Sequence, residues 1–485
     1  METLKNKDTK YYVHSIIGIA LMFGIPLLPP VEPITHIGMQ LGGIFIGLIY
    51  LWSTVGLFWP SLLGLVAFAF TDYIDLFGVL SSFSNYMALL VLFFLIFIGA
   101  VTESGLAKYL ARWILTRKII TGRPAVFTFL YMFAMWVVSA FIDGFVAMLV
   151  MWPAMYIIFE EVGYDRNDRY CKIMVLATFM AVIMGEAALP FWGAQLIIMG
   201  AFEAASGIAF DYANYMIFSI SFSFIVMVLL TLLIKFVLRP DMSKMAAVDP
   251  ELMAKEPLDP MNTKQKLYIA SMVALLVVAL GPTLLPADWA ITQFLTDLDT
   301  LGYVIFVIAL FSFIKIDGEP VLDPVAVCKE YVSWDLYLLV VVCMFVSGCL
   351  LGDATGIREW LVGILTPLFS GKGVMFFAVV LIVLGNLITN VANNAITGAV
   401  FVQLIVAMTP ALGIANPNAL AVVVTMSINL ALLAPSASMA AAMLHSNRDK
   451  VSMGDILKYG SIMLVVTLAV LIFIGLPMAN ALFVS

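Results

Sequence analysis

Charged side chains are scarce in this chain of 485 residues. Asp, Glu, Lys and Arg make up 11% of it, against about 25% in soluble domains, while 63% of the residues are hydrophobic. A water-soluble fold could not bury so much apolar surface. The chain is also neither polar enough for disorder nor basic enough to bind nucleic acid. The scarcity of charge therefore predicts an integral membrane protein with many spans.

The residues that enzymes and metal centres most often need are rare as well. The four cysteines have no paired spacing and the three histidines form no cluster, which argues against a disulfide framework and a zinc site. The chain has no His-Glu-x-x-His motif and no phosphate-binding glycine loop, which argues against a membrane-embedded enzyme and a primary pump. We expect a transport protein that is not an enzyme and needs no resident cofactor other than a coupling ion.

Apolar runs that could cross the bilayer recur along the whole chain, because a helix of about 20 residues spans the hydrocarbon core. Two blocks, 124–160 and 373–409, are too long for one span and carry polar or glycine residues near their middle. We predict that each block forms two short helices that meet at a re-entrant tip. The predicted full spans are 11–30, 35–52, 54–73, 86–106, 173–200, 211–237, 266–286, 299–315, 335–353, 417–444 and 457–480.

Basic residues indicate the orientation of these spans. With a cytoplasmic N-terminus and both hairpins returning to their own side, all of the 24 Lys and Arg residues except Arg358 and Lys372 are cytoplasmic, as the positive-inside rule requires. The predicted fold class is an all-α polytopic membrane protein with about 11 transmembrane helices and two re-entrant hairpins. Its N-terminus is inside, its C-terminus is outside, and we expect it in the plasma (inner) membrane.

The two halves of the chain repeat one pattern. Gly105 and Gly356 follow corresponding spans 251 positions apart, and the tip residues Gly144 and Asn394 are 250 positions apart. Because the charge pattern puts the two hairpins on opposite sides, the repeat is inverted. We predict an N-terminal span 1–34, a first repeat 35–238, a cytoplasmic linker 239–265 and a second repeat 266–485.

A long apolar span with helix-breaking residues follows each hairpin. The breakers are Gly185, Pro190 and Gly193 in the first half, and Pro435, Ser436 and Ser438 in the second. Lipid cannot satisfy bare backbone groups, so paired interrupted helices indicate a transporter's binding site near the midplane. Helix N-termini there suit an anion, and free carbonyl groups suit a cation.

Two carboxylates near these features are candidates for ion coupling. A charge at the bilayer centre costs roughly 2.5–3.5 kcal/mol on insertion scales, and such residues usually line an ion path. Three roles are open for Asp143 at the first tip: binding a cation, carrying a proton, or capping the returning helix. Two roles are open for Glu186 in the first broken span: sharing a site with Asp143, or facing a water-filled vestibule.

The hairpin tips resemble those of the divalent anion–sodium symporter family, within the larger ion transporter superfamily. The second tip reads Thr389-Asn-Val-Ala392-Asn393-Asn394-Ala-Ile-Thr397, which keeps the Asn and a trailing Thr of the family's Ser-Asn-Thr signature. The first tip keeps an upstream Ser139, but Asp143-Gly144-Phe145 stands in place of Ser-Asn-Thr.

This resemblance implies the site residues. It implies a sodium site at Thr389, Ala392 and Asn394, completed near Ala437. In the first half, the resemblance and the two candidate carboxylates together predict a site that couples transport to Na⁺ or H⁺. Its residues are Ser139, Asp143, Glu186 and Gly193. The expected substrate-binding residues are Gly144, Trp192, Asn393, Asn394, Thr397 and Ser438.

The resemblance also implies a function. It is that of a homodimeric carrier that takes up a small carboxylate with Na⁺ or H⁺ by alternating access. The alternative is a cation/proton antiporter of the same superfamily, which suits the acidic pair but leaves the asparagine-rich second tip without a role. Phe145 and Trp192 stand where the family has small hydroxyl residues. They favour a smaller or lopsided substrate, such as a monocarboxylate with an apolar end, unless they are simply packed aromatics.

Overall fold

The computed structural model is built almost entirely of helices. It describes residues 2–107, 109–110, 122–142, 144–165, 167–191, 193–247, 260–435 and 437–483. Within these residues, nine helices are long and apolar enough to cross a membrane, or up to twelve if each of three bent pairs counts as one span. The predicted all-α polytopic membrane protein is confirmed.

The helices of the first half alternate long apolar segments with shorter ones. In chain order they are α1 (Glu2–Gly24), α2 (His36–Thr54), α3 (Phe58–Ala69), α4 (Leu76–Leu80), α5 (Tyr86–Glu103), α6 (Pro124–Phe141), α7 (Gly144–Glu161), α8 (Arg169–Glu186), α9 (Gly193–Ser206) and α10 (Tyr212–Leu238). Short 3₁₀ turns occupy Ile25–Leu27, Ser81–Ser84 and Ser243–Ala247.

The second half repeats this mixture. Its helices are α11 (Thr263–Leu284), α12 (Ala290–Leu298), α13 (Thr300–Phe313), α14 (Pro324–Glu330), α15 (Trp334–Cys349), α16 (Ile357–Phe369), α17 (Gly373–Thr389), α18 (Asn394–Leu412), α19 (Pro417–Asn429), α20 (Met439–Ser446) and α21 (Met453–Leu482). Between α13 and α14, strand β1 (Lys315–Ile316) pairs antiparallel with β2 (Glu319–Pro320).

Both blocks that are too long for one span fold as helical hairpins. In the first hairpin α6 packs on α7, and in the second α17 packs on α18. The turns between the helices fall at the glycine and polar residues that the sequence places in the middle of each block. Asn393 begins α18 as its N-cap, with its side-chain oxygen accepting from the backbone N–H of Ala395 at 2.9 Å.

Both long spans that follow the hairpins are interrupted, as the sequence predicts. The first interruption separates α8 from α9 and contains Pro190, and Gly193 restarts the helix with a φ of +67°, a conformation that favours glycine. The second separates α19 from α20 and contains Pro435. Proline lacks the N–H that would continue a helical ladder, so the breaks lie where the sequence is least able to form a helix.

The hairpins contact the breaks of the opposite half. Helix α18 packs against α9, and α7 packs against α20. A Cβ atom on Gly398 of α18 would collide with the side chain of Ile198 in α9, so the two helices pack closely at this glycine. These contacts join the two hairpins and the two interrupted spans into one assembly.

The start of the predicted linker docks on the loop between α7 and α8. The Tyr164 hydroxyl donates to the carbonyl of Asp241 at 3.0 Å, and Lys244 Nζ lies 3.1 Å from the Asp168 carboxylate. The backbone N–H of Asp165 and the Lys244 ammonium lower the pKa of the Asp168 carboxyl by favouring its charged form. Residues 248–259 of the linker lie outside the described part of the chain.

Some helix limits differ from the prediction. Helix α1 ends at Gly24 rather than at residue 30, because Pro26 follows and cannot donate to the helical ladder. Helix α3 occupies only Phe58–Ala69 of the predicted span 54–73. The helices α12, α14 and α16 lie where the sequence predicts no helix. Each of them precedes the next helix at a sharp bend, of 75°, 83° and 108° respectively.

Candidate transport site

Asn390 binds the second hairpin to the second break. Its side-chain oxygen accepts hydrogen bonds from the backbone N–H groups of Leu432 and Leu433, at 2.9 and 2.8 Å. Its amide donates to the carbonyl of Asn386 at 2.8 Å. Buried backbone N–H groups need partners, and in this non-helical stretch a side chain of the hairpin supplies them.

Asn386 makes a second connection one turn earlier in α17. Its amide donates to the carbonyls of Ser427 and Leu430, at 2.8 and 3.1 Å. The Ser427 hydroxyl in turn donates to the carbonyl of Ile382 at 2.6 Å. The end of α19 and the start of the break are therefore held by α17 through buried, hydrogen-bonded polar groups.

The residues of the predicted sodium site carry oxygen atoms that can bind a cation. The Thr389 hydroxyl is fully buried and has no hydrogen-bond partner within the described residues. The backbone N–H of Asn394 donates to the carbonyl of Ala437 at 3.3 Å, so these two residues are adjacent, while Ala392 lies in the turn after α17. Hydroxyl and unwound carbonyl oxygens are typical Na⁺ ligands in broken-helix transporters. The donor set therefore fits Na⁺.

Two helices begin beside this set of oxygens. Asn393 caps α18, and Ser438 caps α20 by accepting from the backbone N–H of Ala441 at 3.0 Å. Thr397 donates its hydroxyl to the carbonyl of Asn393 at 2.9 Å. These predicted substrate residues thus shape two helix N-termini, whose positive dipole ends favour an anion.

The structure adds polar residues that the sequence analysis did not select. The amide of Asn394 lies 3.5 Å from the side-chain oxygen of Asn429. In the first half, the amide of the buried Gln195 donates to the backbone carbonyls of Glu186 and, at 3.4 Å, Leu189. Asn386, Asn390, Asn394, Asn429 and Gln195 all carry amide side chains within apolar runs of the sequence. Such polar residues are rare there, and their rarity was the signal available for selecting them.

At the first tip, Ser139 of α6 and Gly144 of α7 both contact α8, the helix that ends at Glu186. The Ser139 hydroxyl donates to the carbonyl of Val182 at 2.8 Å. A Cβ atom on Gly144 would collide with the Glu186 carboxylate, so that carboxylate lies directly against the start of α7. Gly193 opens the following helix α9.

Two predicted site residues, Asp143 and Trp192, lie outside the described residues. The expected pairing of Asp143 with Glu186 therefore stays a prediction. Phe145, which follows the first tip, is 37% exposed on α7.

The chain matches the family model described as "Citrate transporter" over residues 48–427. The chain belongs to the citrate transporter family. As a member of this family it is a membrane transporter of the citrate-transporter type and not an enzyme. The predicted place in the ion transporter superfamily is confirmed, and so is the multi-pass membrane character.

Two solved structures share the fold of this citrate transporter family member. One is the YdaH transporter of Alcanivorax borkumensis, at 16% identity and a TM-score of 0.56, covering 84% of this chain and 89% of that one. The other is MtrF of Neisseria gonorrhoeae, described with a class of antimetabolite efflux pumps, at 14% identity and a TM-score of 0.61, covering 96% and 94%. A search of curated proteins finds no match.

Proposed function

We propose that this protein is a secondary active transporter that takes up a small carboxylate, coupled to Na⁺ or H⁺, by alternating access. The observation that carries the proposal is the buried Thr389 hydroxyl, which has no partner within the described residues. Thr389 ends α17 at the second tip, five residues before Asn394. Burying an unpaired hydroxyl is costly, so a bound cation gives this group its role. The family match supports a transporter of an organic anion.

The second tip combines the two chemistries that a cation-coupled anion carrier needs. Thr389, Ala392, Asn394 and Ala437 would hold Na⁺, which supplies a positive charge beside the substrate. Asn394 and the N-termini of α18 and α20 would bind a carboxylate through N–H donors. Cation binding that orders Asn394 would then favour binding of the anion, and the coupling is reciprocal.

The hydrogen bonds of Asn386 and Asn390 support movement of the second hairpin together with its break. Rigid units of this kind alternate by rocking against the remaining spans. In the first half, Ser139 and Gly144 contact α8 closely, so the first hairpin and α8 would move as a corresponding unit. The spans that precede each hairpin would form the fixed scaffold.

A specific observation also favours the second candidate, a cation/proton antiporter. The Glu186 carboxylate lies against Gly144 at the first tip, where the family's hydroxyl signature is missing. A carboxylate in this position can bind a cation or a proton. The symporter remains our proposal because the antiporter gives no role to the helix N-termini and amides of the second tip.

Uptake into proteoliposomes would test the proposal. Pyruvate, lactate, succinate and citrate would be offered to the purified protein with Na⁺ and pH gradients imposed separately. We expect gradient-driven uptake of at least one carboxylate, with its ion dependence altered in Asp143→Asn. Asp317→Asn, an exposed carboxylate in the β1–β2 turn, is the matched control. Absence of carboxylate uptake, with Na⁺-driven proton movement that Asp143→Asn abolishes, would instead establish the antiporter.

We further propose, from the family resemblance, that the protein is a homodimer in the plasma (inner) membrane. Chemical cross-linking in native membranes tests the dimer directly. Fractionation of the membranes tests the location.

A further inference from the structure

One peptide group of the second break is held from two sides. On one side, Asn390 of α17 accepts hydrogen bonds from the backbone N–H groups of Leu432 and Leu433. On the other side, Nε2 of His445 lies 3.0 Å from the carbonyl oxygen of Leu432. A carbonyl oxygen can only accept, so Nε2 carries the hydrogen and donates it. The peptide group between Leu432 and Leu433 is therefore fixed between α17 and α20.

The bond of His445 exists only because this span is broken. His445 lies near the end of α20 and is 5% exposed, and Leu432 precedes it by 13 residues. In a continuous helix, residues this far apart would be about 20 Å from each other. The bond thus closes the loop of the break, and neither α19 nor α20 needs it for its own backbone hydrogen bonds.

This arrangement leaves the second ring nitrogen of His445 available for a proton. With the hydrogen on Nε2, the neutral ring has a lone pair on Nδ1, and Nδ1 has no hydrogen-bond partner within the described residues. Histidine is the side chain that changes its charge between about pH 5 and 8. The polar turn that follows α20 is cytoplasmic in the predicted topology, so protons would arrive from that side.

The surroundings of His445 do not pair a negative charge with its ring. The break and α17 contain no charged or titratable side chain. Arg448 donates from Nε to the backbone carbonyl of His445 at 3.2 Å, which brings a positive charge close to the ring. Within the described residues, no other side chain bonds to the imidazole. The charged and titratable groups nearby are Tyr156, Glu160 and Glu161 on α7, which packs against α20, and Arg448, Asp449 and Lys450 in the turn after α20.

Protonation should therefore release the ring of His445. A charged donor makes the hydrogen bond to the Leu432 carbonyl roughly twice as strong. Taking an imidazolium out of water without a negative partner costs more than this one bond returns, and Arg448 adds repulsion. The charged ring is consequently more stable in water, next to the polar turn, than in its buried place.

We propose that His445 is a pH-sensitive tie on the second break. The neutral ring holds Leu432, and a proton that binds to Nδ1 from the cytoplasm releases it. The released break would no longer keep Ala437 beside Asn394, so the predicted sodium site would lose affinity as the cytoplasm becomes acidic. This last step rests on the proposed Na⁺-coupled transport and adds its regulation, because uptake of a carboxylate would slow in an acidified cell.

Thermal unfolding of the purified full-length protein in detergent tests the tie without a transported ligand. His445→Gln keeps an N–H donor for Leu432 but cannot take up a proton. We expect equal melting temperatures at pH 8. At pH 5.5 the wild type should melt roughly 2–4 °C below the variant, because the released state binds one more proton and gains stability as the pH falls.

Two further variants complete this experiment. His36→Gln removes an exposed histidine at the start of α2 and should keep the pH dependence of the wild type. His445→Leu removes the donor as well as the titration. It should be less stable than the wild type at pH 8, because the Leu432 carbonyl then lacks a partner.

A direct titration covers the case in which His445→Gln does not fold. In the double variant His14→Gln/His36→Gln, His445 is the one remaining histidine. With ¹³Cε1-labelled histidine, its NMR signal should change from the neutral to the charged position between pH 8 and pH 5. Na⁺ should move the midpoint to lower pH, because Na⁺ binding favours the held break.

The results that would overturn the inference are distinguishable from failure of the proposed function. A signal that stays neutral at pH 5 in the folded protein, or a stability difference between wild type and His445→Gln that is the same at both pH values, would reduce the bond to a structural one. A midpoint that Na⁺ leaves unchanged, although radiolabelled Na⁺ binds at pH 8, would remove the control of the sodium site. Absence of Na⁺ binding at every pH would remove the proposed Na⁺ coupling and leave the tie standing.

Discussion

At the scale of single residues, Thr389 separates a role in ion binding from a role in stability. We predict that Thr389→Val raises the Na⁺ concentration for half-maximal uptake by about tenfold, equal to about 1.4 kcal/mol, because one ligand oxygen is lost. The free energy of unfolding should be unchanged or slightly higher, since the hydroxyl makes no hydrogen bond within the described residues and its removal leaves no partner unsatisfied.

Thr389→Ser keeps the oxygen and serves as the control for this prediction. It should retain the native Na⁺ dependence in the same proteoliposome assay. A loss of stability in Thr389→Val with an unaltered Na⁺ dependence would contradict the assignment.

For Asn390 we expect a role in stability, in contrast to the role of Thr389 in ion binding. Asn390→Leu should lower the free energy of unfolding by about 2–4 kcal/mol, because the backbone N–H groups of Leu432 and Leu433 lose their acceptor in a buried place. Thermal or denaturant unfolding in detergent measures the change. Val391→Ala, at the neighbouring position that is 75% exposed, is the control and should stay within about 0.5 kcal/mol.

The buried asparagines could have been selected from the sequence, but their hydrogen-bond partners could not. An asparagine in an apolar run is rare enough to mark a functional or structural site, so Asn386, Asn390 and Asn429 could have been selected with Asn393 and Asn394. Their hydrogen bonds join positions about 40 residues apart. No local pattern specifies which of the backbone groups in the break they bind.

At the scale of elements, the fit between α6 and α8 depends on Gly185. A Cβ atom at this position would lie 2.5 Å from the Trp136 carbonyl oxygen and 2.9 Å from Ser139 Cβ. Gly185→Ala should therefore push the first hairpin away from α8 and destabilise the protein by about 1–3 kcal/mol.

Gly363→Ala is the matched control for this substitution. A Cβ on Gly363 in α16 meets nothing within 4 Å, and replacing a helical glycine by alanine gains up to about 1 kcal/mol. Unfolding curves of both variants in one detergent compare the two sites. Equal stability of the two would contradict the tight packing of α6 on α8.

The elements were predictable to different degrees. The hairpins and the two breaks could be placed from sequence because polar residues, proline and glycine interrupt long apolar blocks there. The helices α12, α14 and α16 could not, since they have only 9, 7 and 13 residues and fall below the length of a membrane span. Each of them also ends at a sharp bend to the next helix, which no local pattern in the sequence marks.

At the scale of the whole molecule, the distribution of basic residues predicts which side each loop faces. In a variant without native cysteines, Lys372→Cys should react with a membrane-impermeant maleimide in intact cells. Ser243→Cys should react only after permeabilisation. Both side chains are exposed, so access to the reagent depends on the side of the membrane and not on burial.

The reverse labelling pattern would invert the whole topology. The predicted topology has three crossings between residues 243 and 372, which puts the two positions on opposite sides. Labelling of both positions from the same side would contradict this odd number of crossings. The proposed inverted repeats require the two hairpins to lie on opposite sides of the membrane, so the same labelling tests the repeat as well.

The bonds of Asn386 and Asn390 also bear on how the protein is made. The backbone groups of Leu430 and Leu432 that they bind lie 40 to 44 residues further along the chain. The hairpin ends at Leu412, so at about 5–20 residues per second the ribosome completes it roughly 1–4 s before those groups exist. During that interval the two carboxamides leave the translocon without their native partners. The second hairpin therefore reaches its final depth late, when the following span arrives, and delays in elongation after residue 412 would lengthen the period in which it is open to degradation.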